Sequence, residues 1–538
     1  MTTPVSSHPS VSLQQLSEVN NSRSLLQLIL KIKALEGGCH MTAADIINRP
    51  FGQLRLDSRH VATDDVFILL NSQTPNPQKS RDYLHQAAKK AVFILSESNP
   101  LALFDAPSLA ALSCPILYVP AIRDVLGEWV QARLQYQQSV PLPVVVAVTG
   151  TNGKTTISQL VAQLAQLSGI SSAIMGTAGN GKLGALTQAT HTTGDALAVQ
   201  QFLYQMGEEG VALLALEASS HGLDQQRLQG VPVTVAIYTN LSRDHLDYHA
   251  DMDEYVAAKA RLFDSAYFPT LTHAIINSDD EYAHVMLDTA HASGLTVWTY
   301  SLNAEANATF TASDMAPSLA GVKMTLRSEF GDSDIVSPLL GRFNVANLLA
   351  AIGAAVALGM TVSHIATVVP ALQGAVGRMQ RVPSHESCYI VDYAHTPDAL
   401  TQVLASLRAH CEGKLWAVFG CGGDRDTGKR PLMAQAGLAG ADKVVLTADN
   451  PRTEDPIAIL QDMQVGMTAE HYQRTYIEPS RQKAIAYAVS HANPDDIVVI
   501  AGKGHETYQE IDGVRYDFDD RVVLAQALQY ALMGQASK

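Results

Sequence analysis

Apolar runs and helical spacings alternate along most of this chain, and their distribution divides it into regions. Val66–Leu70, Val92–Leu95 and Ile116–Val119 read as strands, and Tyr83–Lys90 as a helix, within a small mixed α/β region running from about Thr42 to Val140. The stretch before Ser24 is Ser-rich and polar, and Leu25–Leu35 is amphipathic but broken by Gln27, Lys31 and Lys33. Residues 1 to about 22 are therefore expected to be a disordered leader, and 1–40 as a whole a partly disordered one. Pro141 and Pro143 mark a linker. Beyond it, Val144–Val148 reads as a buried parallel strand and Ile157–Leu167 as a helix. Further strands are expected at Ala173–Met175, Leu213–Leu216, Thr234–Tyr238 and Ala274–Ile276, with a helix over Asp253–Phe263. A third region opens near Val376, with strands at Tyr389–Val391, Leu415–Phe419, Lys443–Leu446 and Ile497–Ile500. The class is α/β, in three domains at 41–140, 141–375 and 376–538.

Between the strand at Val144 and the helix at Ile157 lies Thr149-Gly150-Thr151-Asn152-Gly153-Lys154-Thr155-Thr156. Gly150 and Gly153 let the backbone bend so that its N–H groups point inward. The loop ends at a helix N-terminus, where the dipole favours anions. Lys154 adds a mobile positive charge, and Thr155 or Thr156 a hydroxyl for Mg²⁺. The order of strand, glycines, Lys-Thr and helix makes this a phosphate-binding loop rather than a plain Gly-rich turn. It says that a nucleotide binds, not what the energy is used for.

Composition narrows the partners. With 538 residues and 47% apolar content, several cores are expected. The formal charge of −15 argues against nucleic acid, so an anionic substrate would need local basic residues. Cys39, Cys114, Cys388, Cys411 and Cys421 lack metal-ligand spacing, which suits a reducing compartment. No segment reaches the roughly 18 apolar residues of a membrane span, and no signal peptide is evident. A cytoplasmic protein without membrane insertion is expected.

Polar clusters follow the apolar strands, where ligands collect in parallel sheets. Glu217, after a strand, is placed either as a metal carboxylate or as a helix cap. Asp244, His245, Asp247 and His249 offer several ligands in a short loop, against the reading of a solvated turn. His191-Thr192-Thr193-Gly194 precedes a helix. Leu56-Asp57-Ser58-Arg59 would by itself be a surface turn, and Lys259 by itself an exposed helix lysine. In the third region, Asp392–Pro397, Gly420–Asp426, Asp449–Arg452 and Gly502–Glu506 all follow strands and can face one crevice.

Together these motifs resemble the Mur ligase family, from about Leu54 to the C-terminus. The match rests on Thr149–Thr156, Glu217–His221, Thr239–His249, Gly341–Asn347, Gly377–Met379, Asp392–Pro397, Asp424–Arg430, Asp449–Arg452 and Gly502–Glu506 in this order. The resemblance implies a UDP-substrate-binding N-terminal domain, a central P-loop domain for ATP and a C-terminal Rossmann-like domain for an amino acid. The implied activity is ATP-dependent addition of meso-diaminopimelate to the D-glutamate γ-carboxylate of UDP-MurNAc-L-Ala-D-Glu through an acyl phosphate, by a monomer. It implies ATP contacts from Gly150, Thr151, Asn152, Gly153, Lys154, Thr155, Thr156, Asn344, Arg378 and Asp392. It implies Mg²⁺ ligands at Thr155, Glu217, His245 and Lys259, the last as a carbamate, with Lys154, Glu217, His245 and Lys259 serving catalysis. Leu56, Ser58 and Gln73 would hold the uridine end, and Thr192, Thr193, Ser219, Gln225 and Arg227 the rest of that substrate. Arg425, Asp449, Asn450, Pro451, Arg452, Gly502 and Glu506 would hold diaminopimelate. Ser72-Gln73-Thr74 stands where the family usually reads His-Gln-Ala, and Ala448 where it usually has an acid.

A folylpolyglutamate synthase of the same superfamily is the nearest alternative, and Asp449-Asn450-Pro451-Arg452 argues against it. A nucleotide switch is a different class; the Asn-Lys-x-Asp run of a guanine site is absent.

Overall fold

The computed structural model describes residues 10–19, 33–34, 43–72, 75–189, 191–246, 248–318, 320–384 and 388–536. The chain packs as two compact units. One runs to Lys154 and takes in Ile170–Ala274 and Glu281–Val297; the other takes in Thr155–Gly169, Ile275–Asp280 and Trp298 onward.

In the first unit, β1 (Lys33–Ala34), β2 (Leu54–Arg55), β3 (Val66–Leu69), β4 (Phe93–Ser96) and β5 (Ile116–Tyr118) form a sheet ordered β1-β5-β4-β3-β2. Pairing is parallel except for β1, which runs antiparallel to β5. Helix Pro77–Ala88 starts earlier than its apolar spacing suggests, because Asn76 caps it and Pro77 fits its first turn.

Residues 10–19, within the stretch expected to be disordered, are ordered here. Val11 pairs with Phe51, and helix Leu13–Val19 buries Leu13 and Leu16 against Phe51, Phe93 and Trp129. Ser12 and Gln15 cap each other's backbone, a reciprocal box that starts the helix. Apolar burial and the cap together offset the ordering entropy that a polar leader could not. Most of Leu25–Leu35 lies outside the described residues.

The same unit holds β6 (Val144–Thr149), β7 (Ser172–Gly176), β8 (Gly179–Lys182), β9 (Leu213–Glu217) and β10 (Val233–Tyr238). Their order is β10-β6-β9-β7-β8, parallel but for β8 at the edge. Every residue of β9 and all but Val144 of β6 are buried, as strands covered on both faces should be.

β11 (His273–Asn277) and β12 (Thr296–Ser301) come next in the chain. In the second unit, β13 (Phe310–Ser318), β14 (Gly321–Ser328) and β15 (Ser333–Ser337) make an antiparallel meander. β16 (Gln380–Val382), β17 (Cys388–Asp392), β18 (Leu415–Phe419), β19 (Lys443–Leu446), β20 (Thr475–Ile477) and β21 (Ile497–Ala501) form a sheet ordered β16-β17-β21-β18-β19-β20. Only β16 is antiparallel in it. A hairpin of β22 (Tyr508–Ile511) and β23 (Val514–Asp517) follows. Among the described residues no helix is long and apolar enough to cross a membrane.

Candidate active site

In the first unit, the C-terminal ends of β6, β7, β9 and β10 carry Thr149, Thr177, Glu217 and Thr239. β6 runs into the glycine loop, where Gly150 and Gly153 take φ of 145° and 90°. A Cβ on Gly150 would sit 1.8 Å from Thr239 Oγ1, so that position admits no side chain. The amides of Thr151 and Asn152 do not point inward as expected. They donate to Asn240, to its backbone oxygen at 2.7 Å and its Oδ1 at 3.0 Å. The loop is thereby braced from outside. The anion-binding groups left to it are Lys154 and the first turn of helix Lys154–Leu167, which lacks carbonyl partners within the helix. Thr155 and Thr156, both buried, open that turn.

Lys154 Nζ donates to the carbonyls of Gly150 and Thr151 at 2.8 and 2.9 Å. Lys259 Nζ meets the same Gly150 oxygen at 2.8 Å. Lys259 is 1% exposed, so it is no surface helix lysine. It shares a helix face with Tyr255, whose ring lies 4.5 Å beneath its amine and whose hydroxyl meets Thr151 Oγ1 at 3.1 Å. Burial pushes the Lys259 amine well below the usual lysine range, and the Lys154 charge pushes it further.

Glu217, 2% exposed, is the last residue of β9. It does not cap a helix; Ser219 does. Its carboxylate accepts from the Thr177 amide at 2.8 Å and the Thr177 hydroxyl at 3.2 Å. A Cβ on Gly176 would collide with Glu217 Oε1, which explains the glycine. His245 adopts a left-handed φ of 54°, with its side chain 41% exposed and its ring 5.0 Å from that of His221. Of the acidic and histidine cluster expected from sequence, Asp244 Oδ2 stands 3.6 Å from His245 Nε2. Asp247 lies outside the described residues. His249 turns into the interior against Tyr255, its ring nitrogens without a hydrogen-bond partner among the described residues and its basicity lowered by burial. Among the described residues no group of three or more His, Cys, Asp or Glu is arranged to hold a metal.

The residues expected to hold the UDP substrate fall partly into one network. Thr192 Oγ1 meets Thr177 Oγ1 at 3.0 Å, and Thr193 Oγ1 bonds Glu217 O at 2.8 Å and Ser219 Oγ at 2.9 Å. Arg227 donates to Thr193 O and Gln225 Oε1, each at 2.8 Å, and Gln225 Nε2 donates to Tyr248 at 2.9 Å. Ser58 is buried, its hydroxyl bonded to Gln86 Oε1 at 2.8 Å, while Leu56 is half-buried. Gln73 lies outside the described residues. Sequence reasoning missed Thr177, Tyr255 and Arg123. Arg123 pairs with Glu97 at 2.8 Å and reaches Gln225 O at 3.3 Å.

In the second unit, Asn344 is buried, bonded to Leu340 O and by Asn347. Asp392 accepts from the amides of Met379 and Ala394 at 2.6 and 2.7 Å. Burial pushes its carboxyl above the usual carboxylate range, while Arg378 and these amides oppose that. Arg378 stacks on Tyr393 at 4.5 Å, its Nε without a hydrogen-bond partner among the described residues.

A second polar group lies beyond β19 and β21. Asp449, Asn450 and Pro451 are buried, and Glu506 bonds Asn450 Nδ2 at 3.0 Å. Gly502 takes a φ of 117°, where a Cβ would crowd Asp449. Arg452, at φ 51°, bonds Gly423 O at 2.7 Å. The β22–β23 hairpin holds it there, through Arg452 N to Glu510 O at 2.9 Å and Asp512 N to Arg452 O at 2.6 Å. Arg425 stands exposed.

A phosphate loop at the head of a parallel sheet, with a separate Rossmann-like sheet, defines a nucleotide-dependent α/β protein. Residues 148–355 match the Mur ligase middle domain, and 377–504 the Mur ligase glutamate ligase domain. A Pseudomonas aeruginosa protein named UDP-N-acetylmuramoyl-L-alanyl-D-glutamate--2,6-diaminopimelate ligase is 44% identical over 470 residues, 87% of this chain and 93% of that one. A Chromobacterium violaceum protein of the same name is 41% identical over 89% of this chain and 94% of its own. A solved structure of that name is 43% identical, with a TM-score of 0.71, covering 97% of this chain and 99% of the other. The chain belongs to the Mur ligase family.

Proposed function

We propose that this ATP-dependent carboxylate–amine ligase joins meso-diaminopimelate to the D-glutamate γ-carboxylate of UDP-MurNAc-L-Ala-D-Glu, in peptidoglycan precursor synthesis. The observation that carries the reading is the combination of a braced phosphate loop with the Asp449-Asn450-Pro451-Arg452 pocket. The identity of 44% to a protein named for that reaction supports it over a folylpolyglutamate synthase. A carboxylate is a poor electrophile. Transfer of the γ-phosphoryl of ATP gives an acyl phosphate and ADP; the free amine then attacks the acyl carbon, inorganic phosphate leaves, and an amide remains.

Phosphoryl transfer asks the protein for alignment and charge compensation. Lys154 leaves its carbonyl partners to meet the phosphates, with Gly150, Thr151, Asn152, Gly153, Thr155 and Thr156 shaping the cradle. Asn344, Arg378 and Asp392 serve the nucleotide. The Thr155 hydroxyl and Glu217 carboxylate are oxygen donors of the kind that suits Mg²⁺, a hard cation. Thr155, Glu217 and His245 would hold it, and it would neutralise phosphate charge. Lys259 completes that set as a carbamate: its neutral amine adds carbon dioxide and releases a proton, exchanging a cation for a carboxylate. Burial of the amine supports this, since only the uncharged form reacts. Leu56, Ser58, Gln73, Thr192, Thr193, Ser219, Gln225 and Arg227 bind the UDP substrate. Arg425, Asp449, Asn450, Pro451, Arg452, Gly502 and Glu506 bind diaminopimelate. The three domains divide at 41–140, 141–375 and 376–538, residues 10–19 packing with the first. The enzyme works as a cytoplasmic monomer.

The test is ADP release with each substrate omitted in turn. Sustained release only with UDP-MurNAc-dipeptide, diaminopimelate and ATP together supports the ligase; equal release without the other two substrates overturns it.

A further inference from the structure

Asp449, Asn450 and Glu506 converge on Lys503, which has no role so far. Lys503 is fully buried. Its ammonium donates to Asn450 Oδ1 at 3.0 Å and Glu506 Oε2 at 3.1 Å, and stands 3.8 Å from Asp449 Oδ1. Asn450 Oδ1 also accepts from the Glu510 amide at 3.0 Å. Two donors therefore fix the amide's orientation, which turns Nδ2 to Glu506 Oε2 at 3.0 Å. Glu506 Oε2 thus takes both Lys503 and Asn450, while among the described residues Oε1 accepts no hydrogen bond. Glu506 keeps 19% of its side chain exposed, so the carboxylate is not sealed from solvent.

The charges sharpen the picture. Two carboxylates and one ammonium leave this group a formal charge of −1. The neighbouring Arg481 is already matched by Asp520 at 2.7 Å. A buried site with one uncompensated negative charge and one open carboxylate oxygen suits a cationic ligand group. We infer that Lys503 is a positioning residue for the amine substrate: it pins Asn450 and one oxygen of Glu506, leaving the other oxygen for an ammonium of the incoming diamino acid. The inference rests on the proposed ligase reading and adds how an amino group is selected beside the carboxylate reader Arg452. Without Lys503, the Asn450 oxygen keeps only the Glu510 amide as a donor, and two carboxylates face one small pocket with no ammonium between them.

The experiment measures KM for all three substrates in the parent, Lys503→Met, Glu506→Gln and the double variant. Diaminopimelate KM should rise about 30-fold in each single variant, and the double should be no worse than about threefold beyond the poorer single. KM for ATP and for the UDP substrate should stay within about twofold. Single losses that multiply in the double, or an ATP KM that rises in parallel, would overturn the positioning role. Lys503→Gln keeps a neutral donor in a milder change; a diaminopimelate KM equal to the parent's would overturn the role of the charge. One readout needs no variant. The parent should prefer diaminopimelate over 2-aminopimelate, which lacks the distal amine, by at least about 30-fold; equal specificity constants would overturn the inference. A parent that consumes neither amino acid refutes the ligase reading instead.

Discussion

Lys259→Ala separates a mechanistic lysine from a structural one, because the two readings place the main loss in different quantities, kcat and stability. The side chain beyond Cβ occupies about 80 Å³, and a cavity of that size costs about 2 kcal/mol. The Gly150 carbonyl keeps its bond from Lys154 at 2.8 Å, so its loss of one donor adds no more than about 1 kcal/mol. Relief from burying a basic amine at 1% exposure offsets part of both. The expected loss of stability is therefore under about 3 kcal/mol, read from denaturant unfolding. The expected loss of kcat is at least about 1000-fold, or about 4 kcal/mol in the transition state. Formate, acetate and propionate are then added to the purified variant. Partial recovery is expected, since each supplies the oxygens of the missing carbamate. A folded variant within about tenfold of the parent's kcat would remove Lys259 from the mechanism.

Other outcomes follow from the same geometry. Gly150→Ala places a Cβ 1.8 Å from Thr239 Oγ1, so kcat should fall at least about 100-fold, with part recovered when Thr239→Ala is added. Arg452 should make the parent prefer meso-diaminopimelate to L-lysine by at least about 100-fold in kcat/KM, and Arg452→Ala should narrow that gap. Arg481→Met strands the buried Asp520 and should cost about 3–5 kcal/mol in denaturant unfolding, with less lost when Asp520→Leu accompanies it. Burial, then the Arg378 charge, pushes His505 down to about 4. The unfolded chain binds that proton first, so stability present above about pH 6.5 is lost towards about pH 4, by up to about 3 kcal/mol. His505→Gln should flatten this part of the pH profile of unfolding.

The parallel strands were legible because each is a short apolar run ending in polar or glycine residues, as at Val144–Thr149 and Leu213–Glu217. Two other signals were present and passed over. Val322, Met324 and Leu326 alternate with Lys323, Thr325 and Arg327, a period-two pattern that β14 follows. Asp512-Gly513 is a hairpin turn signal, and both residues take positive φ, of 50° and 73°. That hairpin matters to the candidate site, since it holds Arg452 in its left-handed conformation. The order of residues 10–19 is hidden for a similar reason: their Ser-x-x-Gln cap lies inside a stretch that reads as polar chain. Burial of Lys259 was legible only through the family resemblance, because its helix also carries exposed Asp and Glu residues and has no clean apolar stripe. Lys503 looked like a basic residue in a glycine loop; its burial comes from long-range contacts with Asn450 and Asp449 that no local spacing encodes.

The acyl-phosphate claim makes the acceptor carboxylate, not water, the nucleophile toward ATP. UDP-MurNAc-L-Ala-D-Glu carrying ¹⁸O in its γ-carboxylate, turned over with ATP and meso-diaminopimelate, traces that oxygen by mass spectrometry. One labelled oxygen per turnover should appear in inorganic phosphate, with ADP as the other product. Unlabelled phosphate, or label carried into AMP, would contradict the account.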